Sequence, residues 1–333
     1  MEIFLSVKHL SAILVYFFAL HFKYCNCLSG IYEYPEVVDF RIIVLTYNRP
    51  FSLVQCLTHV NRVITDGATV AVEVWVDRPE NGDVNVETLH ILDNITWSDW
   101  IVHRTHVHPV HAGLYGQWLT TWRPKFGSRE IVLYLEDDVD ISPYAYRWLR
   151  RAYGAYRKNP ELAGISLKEE YVITASGSRR GVSLKTPDYD PIYFYRIVGP
   201  WGFAPHPEQW RRFQDWYFAE KNSCRQLDPH VPEAGLYDSW YTDMQQENRT
   251  DSMWIMWYIS YCHRNSLYTA YSNLRAYSKD PGAGLVVNRR EDGLHFSGRR
   301  RNNTDQFLLG YWDEKFVKFP EKITKLDYDG SYS

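Results

Sequence analysis

Cysteine is scarce, charge is nearly balanced and long apolar runs are missing, and each shortage removes a class of protein. Five cysteines in 333 residues make no disulfide framework of the kind that holds small secreted folds. A formal net charge of −3 supplies no broad basic field, which argues against nucleic-acid binding driven by phosphate neutralisation. The local cluster Arg299, Arg300, Arg301 is the one exception. No internal repeat or low-complexity tract interrupts the chain, so a solenoid or a largely disordered polymer is not expected. The apolar stretch from Leu10 to Phe22, broken by Ser11 and His21, falls short of the ~20 residues that a spanning helix wants. With Lys8 before it and the small pair Cys25 and Cys27 after it, residues 1–28 read as a signal peptide ending before Leu28, or as a short uncleaved anchor. Membrane contact is expected only through that segment.

What the chain has in quantity is apolar and aromatic surface: 45% hydrophobic residues and 16% aromatics, with 13 Trp and 26 Tyr. That is enough for a full core. Flat aromatic faces suit sugar rings as well as ordinary packing, and packing is the default for most of them. Three N-x-S/T sequons, at Asn94, Asn248 and Asn302, agree with entry into the secretory lumen. Without the leader three cysteines remain, Cys56, Cys224 and Cys262, which permit one disulfide; Cys224 with Cys262 is the expected pair.

The punctuation is that of alternating strands and helices, which predicts an α/β fold with a mostly parallel sheet flanked by helices in one domain over 29–333. Arg41–Thr46, Val70–Val76 and Ile131–Leu135 are apolar runs of strand length, Ile101–Val107 is a further strand candidate, and Ala163–Ser166 and Ile192–Val198 follow. Phe51–Ile64, Val86–Leu92, Gly113–Trp122, a Tyr- and Trp-bearing stretch after Pro143, Gln209–Phe218 and Ser252–Cys262 read as helices. Asn222–Arg249 is polar and irregular, long enough for a functional loop. The segment after Asp280-Pro281-Gly282 reads as a charged tail.

Four carboxylates in five positions, Glu136, Asp137, Asp138 and Asp140, follow directly on the strand Ile131–Leu135. Open α/β sheets take their ligands at the carboxyl ends of strands. Acids so crowded repel unless cations or hydrogen bonds offset them. A hard divalent ion, Mn²⁺ or Mg²⁺, is an economical partner, because such ions share oxygen ligands with substrate phosphates and ask the protein for only one or two carboxylates. The plain alternative is an acidic turn that caps the next helix through Asp140 or Ser142.

The sequence Arg41-Ile-Ile-Val-Leu-Thr-Tyr-Asn-Arg-Pro50, the strand ending in Asp77, and Leu135-Glu-Asp-Asp-Val-Asp-Ile-Ser-Pro143 together resemble GT-A-fold glycosyltransferases, especially the family-two-like enzymes and the N-acetylglucosaminyltransferase that starts N-glycan branching. The resemblance spans about Arg41 to Phe307. It implies an inverting, Mn²⁺-dependent transfer of a sugar from a UDP-sugar donor to a glycan or glycoconjugate hydroxyl, in the Golgi or ER lumen or outside the cell. It implies that Asp138 is the direct ligand of a DXD-like motif, that Glu136 and Asp137 face the ribose and base, and that Thr46, Asn48 and Arg49 line the nucleotide site. Asp77 would accept from the uracil ring, where a wrong base loses the pair; its plain reading is a turn before Arg78-Pro79. Gly113 and Gln117 would bring a helix start near the donor, and plain helix capping is their alternative. Trp201 and Gly202 fall in the donor-sugar turn, with Trp254 and Trp257 as further wall or core.

An inverting transferase also needs a base for the acceptor hydroxyl. By resemblance it stands at the start of a helix after the donor-sugar turn, which selects Asp251; an N-cap role is its alternative, and Asp243 and Asp238 are runners-up. His295, in Gly-Leu-His-Phe-Ser-Gly, would by the same resemblance complete the metal shell or contact the diphosphate; a structural histidine is its alternative. Two rival classes remain. A nucleotidyltransferase would carry a Gly-rich, Lys- or Arg-bearing loop after the first strand, where this chain has Tyr47-Asn-Arg-Pro50. A secreted sugar- or nucleotide-binding protein on a degenerate transferase domain would keep the same acids without turnover.

Overall fold

The computed structural model describes residues 30–168, 171–172, 182–183, 190–221, 223, 227–250, 253–274, 279, 283–289 and 307–333. In chain order the elements are β1 (Phe40–Thr46), α1 (Pro50–Val60), β2 (Val70–Val76), α2 (Val86–Asn94), β3 (Ile101–Val107), α3 (Gly113–Thr120), β4 (Ile131–Glu136) and β5 (Val139–Ile141). There follow α4 (Ala145–Tyr156), β6 (Leu162–Ser166), β7 (Tyr171–Val172), β8 (Val182–Ser183), β9 (Ile192–Tyr195), β10 (Phe203–Pro205), α5 (Pro207–Lys221), α6 (Leu236–Gln246) and α7 (Trp254–Arg264). The chain closes with β11 (Tyr268–Ser272), β12 (Ala283–Gly284), β13 (Val286–Asn288), β14 (Phe307–Leu308) and β15 (Thr324–Leu326).

Nine strands form one sheet in the order β15-β9-β11-β6-β10-β4-β1-β2-β3. β1, β2, β3 and β4 run parallel, and β10 lies antiparallel between β4 and β6. β11 is parallel to β6, β9 antiparallel to β11, and β15 parallel to β9. The fold is thus α/β with a large, mostly parallel sheet flanked by helices in a single domain, as the alternating pattern predicts.

β1 shows why. It is buried along its whole length, and successive side chains point to opposite faces. Phe40, Ile42 and Val44 join a core with Leu53 and Leu57 of α1 and Leu149 of α4. Ile43 and Leu45 join a second core with Trp118, Trp210, Trp254 and Tyr258. A strand covered on both sides reads as a continuous apolar run.

The order also creates the site. After β1 the chain steps outward through β2 to β3, then returns so that β4 pairs with the other side of β1. Between β1 and β4 the connections diverge, and their carboxyl ends lie side by side, Leu45 opposite Glu136. Ligands of open α/β sheets bind at such switch points.

Three expectations change. The stretch 222–249 contains the helix α6, on which only Tyr241 is buried, so it shows no apolar stripe. The segment after Gly282 is more than a charged tail: β13 pairs antiparallel with β5 behind the acidic turn. Cys262 is a free, buried thiol rather than half of a disulfide; Cys224 lies outside the described residues. Among the described residues no helix is long and apolar enough to cross a membrane, and residues 1–28 lie outside them.

Candidate functional site

The site begins where β1 and β4 end. Asp137 N donates to Leu45 O at 3.1 Å, so the turn after β4 is stitched to β1 before any side chain acts. Thr46 Oγ1 donates to Asp137 Oδ2 at 2.7 Å. Arg49 forms an ion pair with Asp137 Oδ1, and its Nη1 lies 3.3 Å from Asp138 Oδ2. Asp138 Oδ1 accepts from Asn288 Nδ2 at 3.1 Å. Glu136 points the other way along the alternation and accepts from Trp118 Nε1 at 3.3 Å. Trp118 is fully buried and stacks on Trp254, centroids 4.4 Å apart, so the aromatic core holds the Glu136 partner in place.

Burial and mutual repulsion show in the titration. The Glu136 carboxyl is pushed up to about 7, first by burial and then by Asp138 and Asp137, with Arg49 and Trp118 acting against. Asp137 is pushed up to about 6 by burial, against which the Arg49 charge and the Thr46 hydroxyl act. These are carboxylates short of positive charge.

A clamp that sequence reasoning missed supports the turn from behind. Arg289 donates to Asp137 O at 2.6 Å, to Ser52 O at 2.7 Å and to Ser52 Oγ at 2.9 Å, and pairs with Asp140. Ser52 Oγ in turn donates to Asp137 O at 3.0 Å. The Arg289 backbone N donates to Asp138 O at 3.0 Å. The available signal was the apolar pair Val286-Val287 before Asn288-Arg289, a short strand inside the supposed tail.

A second group stands at the end of β2, joined to the first because Thr46 O accepts from Asp77 N at 2.9 Å and from Gln117 Nε2 at 2.9 Å. Asp77 caps α3: its oxygens accept from the backbone N–H groups of Arg78, Ala112 and Gly113 at 2.8 to 2.9 Å. His111 Nδ1 stands 3.1 Å from Asp77 Oδ2. His111 Nδ1 donates to Arg78 O at 2.6 Å, so the three backbone N–H groups leave one acceptor site on Asp77 Oδ2, on the His111 side, for a ligand N–H. Gly113 has φ +63, which suits glycine. Gln117 is buried, with its other end 3.2 Å from His108 Nε2, and ties the ends of β1 and β2 together.

Asn48 is exposed beside Arg49. Gly202 (φ +67) sits so close that an added Cβ would lie 3.1 Å from Leu167 and 3.4 Å from Val286, which sets the Trp201-Gly202 turn against β13. The Lys168 ammonium lies 4.1 Å from the Trp201 ring centre. Thr46, Arg49, Asp137 and Asp138 thus converge, Glu136 stands beside them on the Trp118 side of β4, Asp77, Gly113 and Gln117 border them, and the Trp201-Gly202 turn meets β13 at Val286. Asp238 is taken up by Val231 N, 2.8 Å, and His230 Nδ1, 2.9 Å, and Asp243 is exposed on α6. Asn94 and Asn248 are exposed. Asp251, His295, Asn302 and the cluster Arg299 to Arg301 lie outside the described residues.

The donor set fits a hard divalent cation. Asp137 and Asp138 offer carboxylate oxygens, and the Arg49 guanidinium already bridges them. Among the described residues no three His, Cys, Asp or Glu side chains converge to hold a metal by themselves, so phosphate oxygens and water would supply the rest of the shell.

No family model matches the chain, and no curated protein matches it. Among solved structures the chain is similar to the mannosyltransferase PcManGT from Pyrobaculum calidifontis in complex with GDP-Man and Mn²⁺. The identity is 9%, the match covers 77% of this chain and 84% of that one, and the TM-score is 0.35. A likeness of that degree carries no argument about the site.

Proposed function

We propose that this chain is a GT-A-type glycosyltransferase that moves a sugar, with N-acetylglucosamine as first candidate, from a UDP-sugar to a hydroxyl of a glycan or glycoconjugate with inversion. The observation that supports this most is the placement of Glu136, Asp137 and Asp138 at the carboxyl end of β4, beside Thr46 and Arg49 at the switch point of the sheet. Asp138, with Asp137 beside it, would hold Mn²⁺ or Mg²⁺. Such an ion, when bound, supplies Lewis-acid stabilisation of charge on a diphosphate leaving group.

The chain's own residues do the rest. Thr46 and Asn288 fix the orientation of the two carboxylates, and Arg49 brings a guanidinium whose fork matches phosphate oxygens. The uracil is proposed to lie against the remaining acceptor site of Asp77, beside His111, with Gly113 leaving room for close approach. Trp201 and Gly202 are proposed to border the donor sugar. Asp251 is the proposed base that takes the acceptor hydroxyl proton, and His295 is proposed to join the metal shell. Exposed sequons at Asn94 and Asn248 and the apolar N-terminal segment support a place in the secretory lumen.

The test is calorimetric titration of residues 29–333 with UDP, with and without Mn²⁺, beside hydrolysis and transfer assays on a panel of UDP-sugars. Metal-dependent UDP binding with turnover of one donor supports the reading and names the sugar. Binding without turnover of any donor or acceptor favours the non-catalytic binding protein. Absence of UDP binding in both conditions overturns the nucleotide-sugar reading.

A further inference from the structure

Two arginines serve the acidic turn, and they do so in different ways. Arg289 spends its donors on main-chain oxygens and on Ser52 and Asp140, its side chain is 13% exposed, and its own backbone is tied to Asp138 O. It is part of the scaffold. Arg49 stands in the loop between β1 and α1, at the N-cap position of α1 without a side-chain cap bond. Its guanidinium bridges Asp137 Oδ1 and Asp138 Oδ2, and its side chain is 25% exposed.

The other oxygen of each carboxylate is held by a neutral group: Thr46 Oγ1 on Asp137 Oδ2 and Asn288 Nδ2 on Asp138 Oδ1. Removal of the guanidinium would therefore leave both carboxylates oriented, with the two oxygens it bridges turned toward whatever cation replaces it. A divalent ion and a guanidinium cannot share those two oxygens without strong repulsion.

We propose that Arg49 is a resident counter-cation that must leave the Asp137–Asp138 pair before a divalent ion binds there, and that the diphosphate of the nucleotide draws it away. This rests on the nucleotide-diphosphate reading above. Metal alone must displace an ion pair, whereas metal together with a diphosphate gives the freed guanidinium a bidentate anionic partner. Metal and nucleotide therefore strengthen each other's binding, and the coupling is reciprocal, typically about 5- to 150-fold. Arg49 in this sense makes the site prefer the metal–nucleotide pair over either component.

The experiment measures Mn²⁺ binding, by calorimetry and by the paramagnetic resonance of the free ion, to wild type, Arg49→Gln and Arg49→Lys, each with and without UDP. Thermal melts establish that each variant is folded. Arg49→Gln is expected to bind Mn²⁺ alone about tenfold tighter than wild type and to lose most of the enhancement that UDP gives, within the coupling range above. Arg49→Lys, which keeps one charge but loses the fork, is expected to fall between. Adding Asp138→Asn to Arg49→Gln should remove the gain. Wild type that binds Mn²⁺ with UDP while Arg49→Gln binds Mn²⁺ no tighter overturns the inference alone. UDP binding that needs Arg49 but no metal overturns it too, because Arg49 would then be the permanent cation. Wild type that binds no UDP under any condition overturns the nucleotide reading together with it.

Discussion

Replacing Arg289 by Met should loosen the acidic turn while every carboxylate of the turn is kept in the sequence. Arg289 donates to three oxygens, Asp137 O, Ser52 O and Ser52 Oγ, and pairs with Asp140. A hydrogen bond to a charged group contributes about 1.5–3 kcal/mol, and immobilising a long side chain offsets about 2 kcal/mol of the sum. Breaking one partner of a buried ion pair costs about 3–5 kcal/mol. Because Asp140 is only partly buried and keeps His59 at 3.8 Å, the lower end applies, a loss of about 3 kcal/mol. At roughly 2 °C per kcal/mol for a domain of this size, the midpoint should fall by about 6 °C in differential scanning calorimetry. Mn²⁺-dependent UDP binding should weaken in the same variant, since Asp137 O keeps only Ser52 Oγ as a side-chain donor. Arg289→Lys should recover about half, because an ammonium meets Asp140 or the carbonyls but lacks the fork that meets both. A midpoint within about 2 °C of wild type with unchanged UDP binding would refute the clamp.

Four further outcomes are expected. Asp138→Ala should abolish Mn²⁺-dependent UDP binding while the fold persists; unchanged affinity in calorimetry would remove the DXD assignment. Asp251→Asn should bind donor normally and transfer no sugar, and transfer at the normal rate would place the base elsewhere. Arg41→Met should cost about 3–5 kcal/mol in urea unfolding, because Arg41 is fully buried against Glu73 at 2.5 Å and Glu130 at 2.9 Å, with its guanidinium carbon 3.9 Å from the centre of the Tyr34 ring; a loss below about 1 kcal/mol would count against that network. For His230, burial lowers the pKa, but the hydrogen bonds to Asp238 and Gln245 and the charges of Asp228 and Asp238 together raise it by more, so the net shift is upward from 6.5. Its stabilising contribution is then full below pH 6.5 and lost as pH rises through the folded value. Asp238→Asn keeps an acceptor for Val231 N but removes the charge, so the melting points of variant and wild type should differ below pH 6.5 and converge above the folded value. A constant difference across pH would count against the ion pair.

Much of the sheet was legible because buried strands are apolar along their length. Val70–Val76 has the same limits in sequence and structure, and the strand that ends in the carboxylates extends by one residue, to Glu136; Ile101–Val107 keeps its limits too, although only Ile101 is buried, because β-branched residues recur along it. β11 escaped because Tyr-Thr-Ala-Tyr-Ser is too short and too polar to look like the interior of a sheet, although all five residues are buried. The antiparallel insertion of β10 between β4 and β6 is a matter of pairing, which local periodicity does not encode. At the site, Glu136 to Asp138 and Thr46 with Arg49 were visible as residue types at strand ends. Ser52, Asn288 and Arg289 were not, because their meaning lies in contacts more than eighty residues apart, with separations of 85 for Ser52 to Asp137 and 150 for Asn288 to Asp138.

Those separations bear on the order in which the protein becomes competent during synthesis. The turn after β4 leaves the ribosome with β1 and α1 already made, yet the partners that brace it, Leu285, Asn288, Arg289 and Leu309, follow 143 to 167 residues after their contacts at Asp137, Asp138, Asp140 and Ser142. Until then the nascent chain holds a knot of acids with Arg49 as its near counter-charge. Chains stopped before Arg289 should accordingly keep the early βαβ portion and lack an ordered acidic turn, so that truncated products carry the motif without its geometry.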